Sequence, residues 1–425
     1  MMRVAHFSDL HYGHKTLAEA DRCFGAAIDQ AIALGVDAAV VSGDATDHAL
    51  DLHAPAVARL AAQVRRLADH CPVLMLQGTF SHELPGTLAI LRLLGGRHPV
   101  HVAERIEQVA LTAQGRWHPS AAWTFAALPA QVRAVFTCVP TVNKATVAAT
   151  VGATDAALAV GEHLATLLRG FAPLHRAARE QGVPCIGVSH GTVFGCISEH
   201  GVPMAGFDHE FTTGALFAAE AQAFLLGHIH RHQAWEQEAG AGHQCIAYAG
   251  SIGRFHYGED GEKGFLLWTV DRAGAHCVLV PTPARRTIDI VFEGPPDLVA
   301  LREAAAGQDL RDASVRVRWT LGEEERHQAD RAAILQALAG AKEVKLEGRI
   351  VPVVRTRSPG ITQSTSLADK VCAWARATEV QPGPLLGCLE ALRVHAPGEI
   401  AKRLLDSADA ASADELEFLS ADAAQ

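Results

Sequence analysis

Apolar positions along the first hundred residues follow two alternating rhythms. Arg3–Phe7, Ala38–Val41 and Val73–Leu76 are short, nearly unbroken apolar runs, the pattern of strands covered on both faces. Between them the spacing becomes helical. Leu17, Phe24, Ile28, Ala31 and Ile32 share one face over Leu17–Leu34, and Val57, Leu60, Val64 and Leu67 share one over residues 55–68. The strand-like runs stop at Ser8-Asp9, Ser42-Gly43-Asp44 and Gly78. Strands joined by helices of this length predict βαβ units and a largely parallel sheet.

The next segment changes character. Val100–Val102, Val109–Leu111, Trp123–Leu128 and Ala134–Thr137 are short apolar runs between turn residues and read as sheet. An Ala- and Leu-rich helix is predicted over 155–181. Strands follow at Pro184–Ser189, Ala223–Leu226, Gln244–Ala249, Gly264–Val270 and His276–Val280. Pro281 and Pro283 mark a boundary, so residues 1–282 form a first domain. Residues 285–355 alternate strand and helix twice: Thr287–Phe292 then Pro296–Ala305, and Ser314–Thr320 then Glu323–Ala339. They read as a second, small α/β domain. Residues 357–364 read as a linker, 365–405 as two helices around Gln381-Pro382-Gly383-Pro384, and 406–425 as an acidic, disordered tail.

Composition narrows the function classes. A net charge of −10 excludes a uniformly basic nucleic-acid binder but not a local basic groove, because six acids and no Lys or Arg fall in residues 406–425. The nine cysteines are scattered and form no CxxC pair, which points to reduced thiols in a cytosol rather than to a disulfide framework or a thiolate zinc site. No run is long and apolar enough to span a membrane, and no secretory leader is expected in MMRVAHFSDLH, so a cytoplasmic location is expected.

The chemistry lies at the strand ends. Asp9-x-His11, Gly43-Asp44, Ser81-His82-Glu83, Ser189-His190-Gly191 and Gly227-His228-Ile229-His230 each close or follow a predicted strand. In open α/β sheets ligands gather beyond the carboxyl ends of the strands. Each cluster alone is weak, and a lone histidine there is usually structural or solvated. Five in this order predict a metal site. Imidazole and carboxylate without thiolate suit Mn, Fe or Zn, and in part Mg. Two His-bearing pairs with a carboxylate between them can hold two ions, the arrangement that stabilises both the attacking and the leaving oxygen of phosphoester cleavage.

These clusters resemble the motifs of the calcineurin-like metallophosphoesterases. Within that superfamily, FSDLHYGH (7–14), SGDATD (42–47) and YAGSIGRFHYGEDGEKGF (248–265) resemble the SbcD-type DNA repair exonucleases. The resemblance is good over 1–280, loose over the small α/β unit and weakest after 360. It implies a four-layer αββα sandwich with a small α/β capping domain and C-terminal helices. It implies two divalent cations, Mn²⁺ first and Mg²⁺ second. Asp9, His11 and His230 would hold one ion, His190 and His228 the other, and Asp44 both. His82 would contact the scissile phosphate and protonate the leaving oxygen, with Glu83 orienting it. His14, Arg231 and Arg254 are candidate substrate contacts. The implied activity is two-metal phosphodiester hydrolysis of DNA. The implied partners are DNA, an SMC-like ATPase of SbcC type docked on the helices of 365–405, and a second copy in a homodimer.

One motif departs from the family. Where Asn-His is usual, this chain has Gly78-Thr79-Phe80-Ser81-His82-Glu83, so Ser81 takes the Asn place if His82 stays in register, and Thr79 competes for it. Asp47 reads as structural or supporting. In the small domain, Arg316 and Arg318 share a strand face that is either a phosphate-contacting stripe or a solvated surface. Two other functions stay open: a phosphoesterase for a small molecule or nucleotide, and a non-catalytic scaffold for DNA ends or the ATPase.

Overall fold

The computed structural model describes residues 1–48, 50–94, 96–142, 153–204, 210–239, 242–259, 261–307, 309–352, 361, 364–403 and 405–406. The linker read at 357–364, apart from 361 and 364, and the tail from 407 onward lie outside the described residues. Two compact units are formed. One comprises Met1–Leu321 with His327–Arg349, and the other comprises the remaining described residues.

The first unit begins with β1 (Met2–Phe7), α1 (Leu17–Ala33), β2 (Ala38–Val41), α2 (Pro55–Ala68), β3 (Val73–Leu76) and β4 (Val100–Ala103). It continues through β5 (Glu107–Thr112), β6 (Trp117–Pro119), β7 (Val132–Val139), α3 (Ala153–Glu180), β8 (Cys185–His190), α4 (Thr213–Phe217) and β9 (Ala223–Gly227). Then come β10 (Gln233–Ala239), β11 (Gly242–Tyr248), β12 (Gly264–Val270) and β13 (Ala275–Pro281). One sheet has the order β13-β12-β1-β2-β3-β4 and the other β10-β11-β9-β8-β7-β5-β6. β1 to β4 run parallel to one another, as do β7, β8, β9 and β11.

Alternating side chains build four layers, αββα. Ala39 and Val41 of β2 pack with Phe24, Ile28, Leu60 and Val64 of α1 and α2, whereas Ala38 and Val40 face the inter-sheet core with Ile186, Val188 and Trp268. Beyond the second sheet, Cys185, Phe224 and Leu226 pack with Leu164, Leu168 and Phe171 of α3. With both faces covered, the central strands are largely apolar, which is why they appear as nearly unbroken runs.

A three-stranded sheet follows: β14 (Arg286–Glu293), β15 (Ala313–Gly322) and β16 (Glu343–Val351), with α5 (Leu298–Ala306) and α6 (Arg331–Ala337). Ile288, Leu301, Val315, Val317, Trp319, Ile334 and Leu338 form its core. Arg316 and Arg318 both fork onto Asp289 at 2.6–3.2 Å, so the proposed phosphate stripe spends its donors within the sheet. In the second unit, α7 (Leu367–Ala377) and α8 (Pro382–Val394) pack together. The Ser366 hydroxyl caps α7 at the Asp369 N–H, and Leu367, Trp374, Leu392 and Val394 stay exposed. Among the described residues no helix is long and apolar enough to cross a membrane.

Several elements differ from the sequence reading. Trp123–Leu128 is irregular, not a strand. The buried Gln108 amide oxygen accepts from the Thr124 hydroxyl (2.8 Å) and the Phe125 N–H (3.1 Å), and the Trp123 ring sits edge-on against Phe171, so these groups have no need of a ladder. β6, β10 and β16 are additional strands. Glu323–Ala339 divides into a 3-10 turn at Glu323–Gln328 and α6, because Asp330 caps the Ala333 N–H and starts a new helix.

Candidate metal centre

The two sheets present their carboxyl-terminal edges side by side. Asp9 and His11 follow β1, Asp44 follows β2, Thr79 follows β3, His190 ends β8, and His228 and His230 follow β9. Bonds across the sheets hold these loops together. His190 Nδ1 donates to the Ser42 carbonyl at 2.8 Å, and the His228 N–H reaches both Asp9 oxygens at 3.1 and 3.2 Å.

Among the described residues three groups could hold a cation: two that share no residue with each other, and a third formed by His11, Asp47 and His82. Asp9, His11 and His230 bring one ligand atom each within 4.8 Å of the others, and Asp44, His190 and His228 do the same. His11 Nε2 lies 3.0 Å from His230 Nε2, and His190 Nε2 lies 3.2 Å from Asp44 Oδ2. Burial holds His11 down at about 4. It also drives His230 well below its ordinary value, helped by His11 and by Lys263. Both rings are therefore neutral, the form that binds a cation. Burial, with Asp44 nearby, pushes Asp9 up to about 6. Burial alone would raise Asp44 and lower His190, but their contact wins: Asp44 is held well below the usual carboxylate range and His190 is raised to about 10.

The donors fit divalent cations. They are carboxylate oxygens and imidazole nitrogens without thiolate, and two carboxylates are buried close together, an arrangement that calls for positive charge. His230 Nδ1 is buried and, among the described residues, has no hydrogen-bond partner. The backbone is also committed to this arrangement. Asp9, His11, Asp44 and His228 have φ of 49°, 46°, 50° and 103°, a region that non-glycine residues rarely occupy and that clusters at functional sites. A Cβ on Gly78 would fall 2.2 Å from both the Asp44 nitrogen and its Oδ1, and one on Gly227 would fall 2.3 Å from the Ser42 carbonyl. Only glycine lets these loops approach so closely.

Thr79, not Ser81, stands with the second group. Its Oγ1 lies 3.1 Å from Asp44 Oδ2, 3.1 Å from His190 Nε2 and 3.5 Å from His228 Nδ1, and its N–H donates to Asp44 Oδ1 at 2.6 Å. The Ser81 side chain is exposed, because the chain turns tightly between Thr79 and Glu83, with the His82 and Glu83 N–H groups bonded to the Thr79 carbonyl. That turn also overturns the role read for Glu83. Its carboxylate points inward and accepts from the backbone N–H groups of Gly78 (2.6 Å), Ala45 (2.5 Å) and Thr46 (3.3 Å), clamping the loops after β2 and β3. Burial, then Asp44, raises its pKa to about 7. The group facing His82 is Asp47, whose Oδ1 lies 3.4 Å from the buried Nδ1 and also 2.7 Å from His48 Nδ1. The rings of His82 and His11 meet edge-on at 4.8 Å, which places His82 beside the first group.

The three substrate candidates divide. Arg254 is structural: its guanidinium bonds the carbonyls of Glu259, Gly261 and Arg285 at 2.5–3.4 Å. Arg231, beside His230, is half-buried, and its guanidinium makes no hydrogen bond or ion pair among the described residues. His14 is exposed and likewise unbonded among them. Sequence reasoning missed the Tyr248 hydroxyl. It donates to the Gly191 carbonyl (2.6 Å) and accepts the Val193 N–H (2.9 Å), fixing the turn after His190; the tyrosine of the 248–265 motif was its signal.

No protein-family model matches the chain, and no curated protein does. Among solved structures it is similar to a dimetal phosphatase from Danio rerio, at 10% identity over 65% of this chain and 98% of that one, with a TM-score of 0.39.

Proposed function

We propose that this protein is a metal-dependent phosphodiesterase that cuts DNA, the nuclease subunit of an SbcCD-type complex. The observation that carries the phosphoesterase reading is the pair of adjoining groups, Asp9–His11–His230 and Asp44–His190–His228, with His82 at their side. DNA as the substrate is supported by the resemblance of residues 7–14, 42–47 and 248–265 to SbcD-type nucleases and by the unbonded Arg231 guanidinium next to His230. An SMC-like ATPase on α7 and α8, and a homodimer, belong to the same reading.

Asp9, His11 and His230 would hold one cation, His190, His228 and Thr79 the other, and Asp44 would serve both, with Mn²⁺ the ion that the resemblance implies first. When bound, two such cations neutralise charge at the phosphoryl group and acidify the attacking water. The remaining work falls to the chain. Asp47, with its Oδ1 3.4 Å from His82 Nδ1, faces the ring and orients it. His82 Nε2 then delivers a proton to the departing ester oxygen. Arg231 holds a neighbouring phosphate of the strand. Glu83 and the strained ligand loops keep the groups in place before substrate arrives.

The test is cleavage of an end-labelled duplex and a single-stranded circle with Mn²⁺, with bis-p-nitrophenyl phosphate as a parallel substrate. His82→Ala should slow hydrolysis by about 10²–10⁴-fold, the range for general acid–base groups, and leave metal binding unchanged. DNA cleavage at the same rate in both proteins would refute the role of His82. Hydrolysis of the small diester without DNA cleavage, even with the ATPase added, would refute DNA as the substrate.

A further inference from the structure

The segment 248–265 holds a buried ion pair beneath the first ligand group. The side chains of Lys263 and Glu259 are both fully inaccessible, with Lys263 Nζ 2.6 Å from Glu259 Oε2. The ammonium also donates to the backbone carbonyl of His230 at 2.7 Å and to the Ser251 hydroxyl at 2.9 Å, so one ion pair and two hydrogen bonds hold it. The other Glu259 oxygen accepts the N–H groups of Phe255 (3.1 Å) and His256 (2.6 Å). Phe255 in turn sets its ring edge-on against His11 at 5.4 Å and His230 at 6.5 Å. Ser251 closes the circuit, its N–H on the His230 carbonyl at 3.2 Å and its hydroxyl on the Gly253 carbonyl at 2.9 Å.

Burying two charges is costly, and an apolar pair of similar volume is often equally stable or more so. Stability therefore does not account for a lysine and a glutamate here. Direction does. An ammonium with an ion pair and two fixed acceptors, and a carboxylate with fixed donors, define where the His230 carbonyl and the Phe255 ring must lie, whereas an apolar pair would fill the space without aiming anything. We propose that Lys263 and Glu259 are positioning residues that hold His230 and His11 in their cation-binding arrangement. The inference rests on the metal-dependent reading above. It assigns to the glutamate and lysine of GEDGEK a task within the first ligand group, although neither offers it a ligand.

The test uses the full chain, stripped with a chelator and titrated with Mn²⁺ alone by calorimetry. Wild type is compared with the apolar double variant Lys263→Met/Glu259→Leu. The variant should melt without metal at or above the wild-type temperature, yet bind one of the two ions about 10–100-fold more weakly, the usual cost of losing a group that orients a ligand. With limiting Mn²⁺, kcat for bis-p-nitrophenyl phosphate should fall while KM stays near wild type. Wild-type affinity for both ions in the double variant would overturn the inference and leave the phosphoesterase reading standing. A wild-type protein that binds no Mn²⁺ would overturn both. If the double variant does not fold, Ser251→Ala removes one acceptor of the ammonium and keeps the ion pair. It should weaken the same ion, and an unchanged affinity would overturn the inference.

Discussion

Replacing Thr79 with valine separates the two candidates for the missing amide ligand. The substitution keeps the side chain's shape and exchanges one oxygen for a methyl group. That oxygen lies 3.1 Å from Asp44 Oδ2, 3.1 Å from His190 Nε2 and 3.5 Å from His228 Nδ1. It donates one charge-assisted hydrogen bond to Asp44 and offers lone pairs to the group. A hydrogen bond to a charged partner is worth about 1.5–3 kcal/mol. Asp44 keeps the Thr79 backbone N–H at 2.6 Å, so the carboxylate is not left bare and the lower half of that range applies to folding. For cation binding, where the hydroxyl acts as acceptor, the same energy corresponds to about a tenfold to hundredfold weaker ion, at 1.4 kcal/mol per factor of ten. The assay is Mn²⁺ calorimetry on stripped protein, comparing wild type, Thr79→Val, Thr79→Asn and Ser81→Ala. Thr79→Val should weaken one ion, Thr79→Asn should restore or tighten it, and Ser81→Ala should change neither. Loss in Ser81→Ala with none in Thr79→Val would refute the placement of Thr79 and the register of the turn that follows it.

Two further outcomes follow from the charges. His190 has a pKa of about 10 in the metal-free fold against 6.5 for the free side chain, so its pairing with Asp44 stabilises fully below about pH 6.5 and fades as pH rises toward 10. The metal-free melting temperature should fall across that window, and Mn²⁺ loading near neutral pH should expel a proton, measurable as a dependence of the binding heat on buffer; a heat independent of buffer would refute the charged pair. The two arginines should separate: Arg231→Ala should weaken DNA binding and lower the salt slope by about 1, whereas Arg254→Ala should destabilise the fold by roughly 2 kcal/mol through lost charged hydrogen bonds and leave the salt slope intact. The opposite assignment of the two effects would refute both roles.

The residues that meet at the strand ends were legible because their strands are. β1, β2, β3, β8 and β9 are covered on both faces, so each is a largely apolar run whose end is visible, and the polar residue at that end faces the site. The loop after β3 was not legible at the same level. Adjacency in sequence suggested that Glu83 serves His82, but a tight turn at Thr79 sends the two side chains in different directions and lets Asp47 face the ring. The same turn swings Ser81 outward. Arg254 looked like a phosphate contact because a cation in a loop near ligands has no visible partner in a sequence; its partners are backbone carbonyls, which any buried loop must satisfy. β10 and β16 escaped notice because edge strands need no apolar face on both sides, and theirs are largely polar.

The centre is divided between the two halves of the sandwich. Asp9, His11, Asp44 and Thr79 belong to the sheet of β1, and His190, His228 and His230 to the sheet of β8. A cation shared by these residues is a rivet through both sheets, and it can exist only when they are stacked. Binding that is confined to the native state adds stability by mass action, about 2.7 kcal/mol when the free ion stands a hundredfold above its dissociation constant. The resistance of this sandwich to heat and proteolysis would then track the free-cation concentration around it, and a chelator would act as a denaturant.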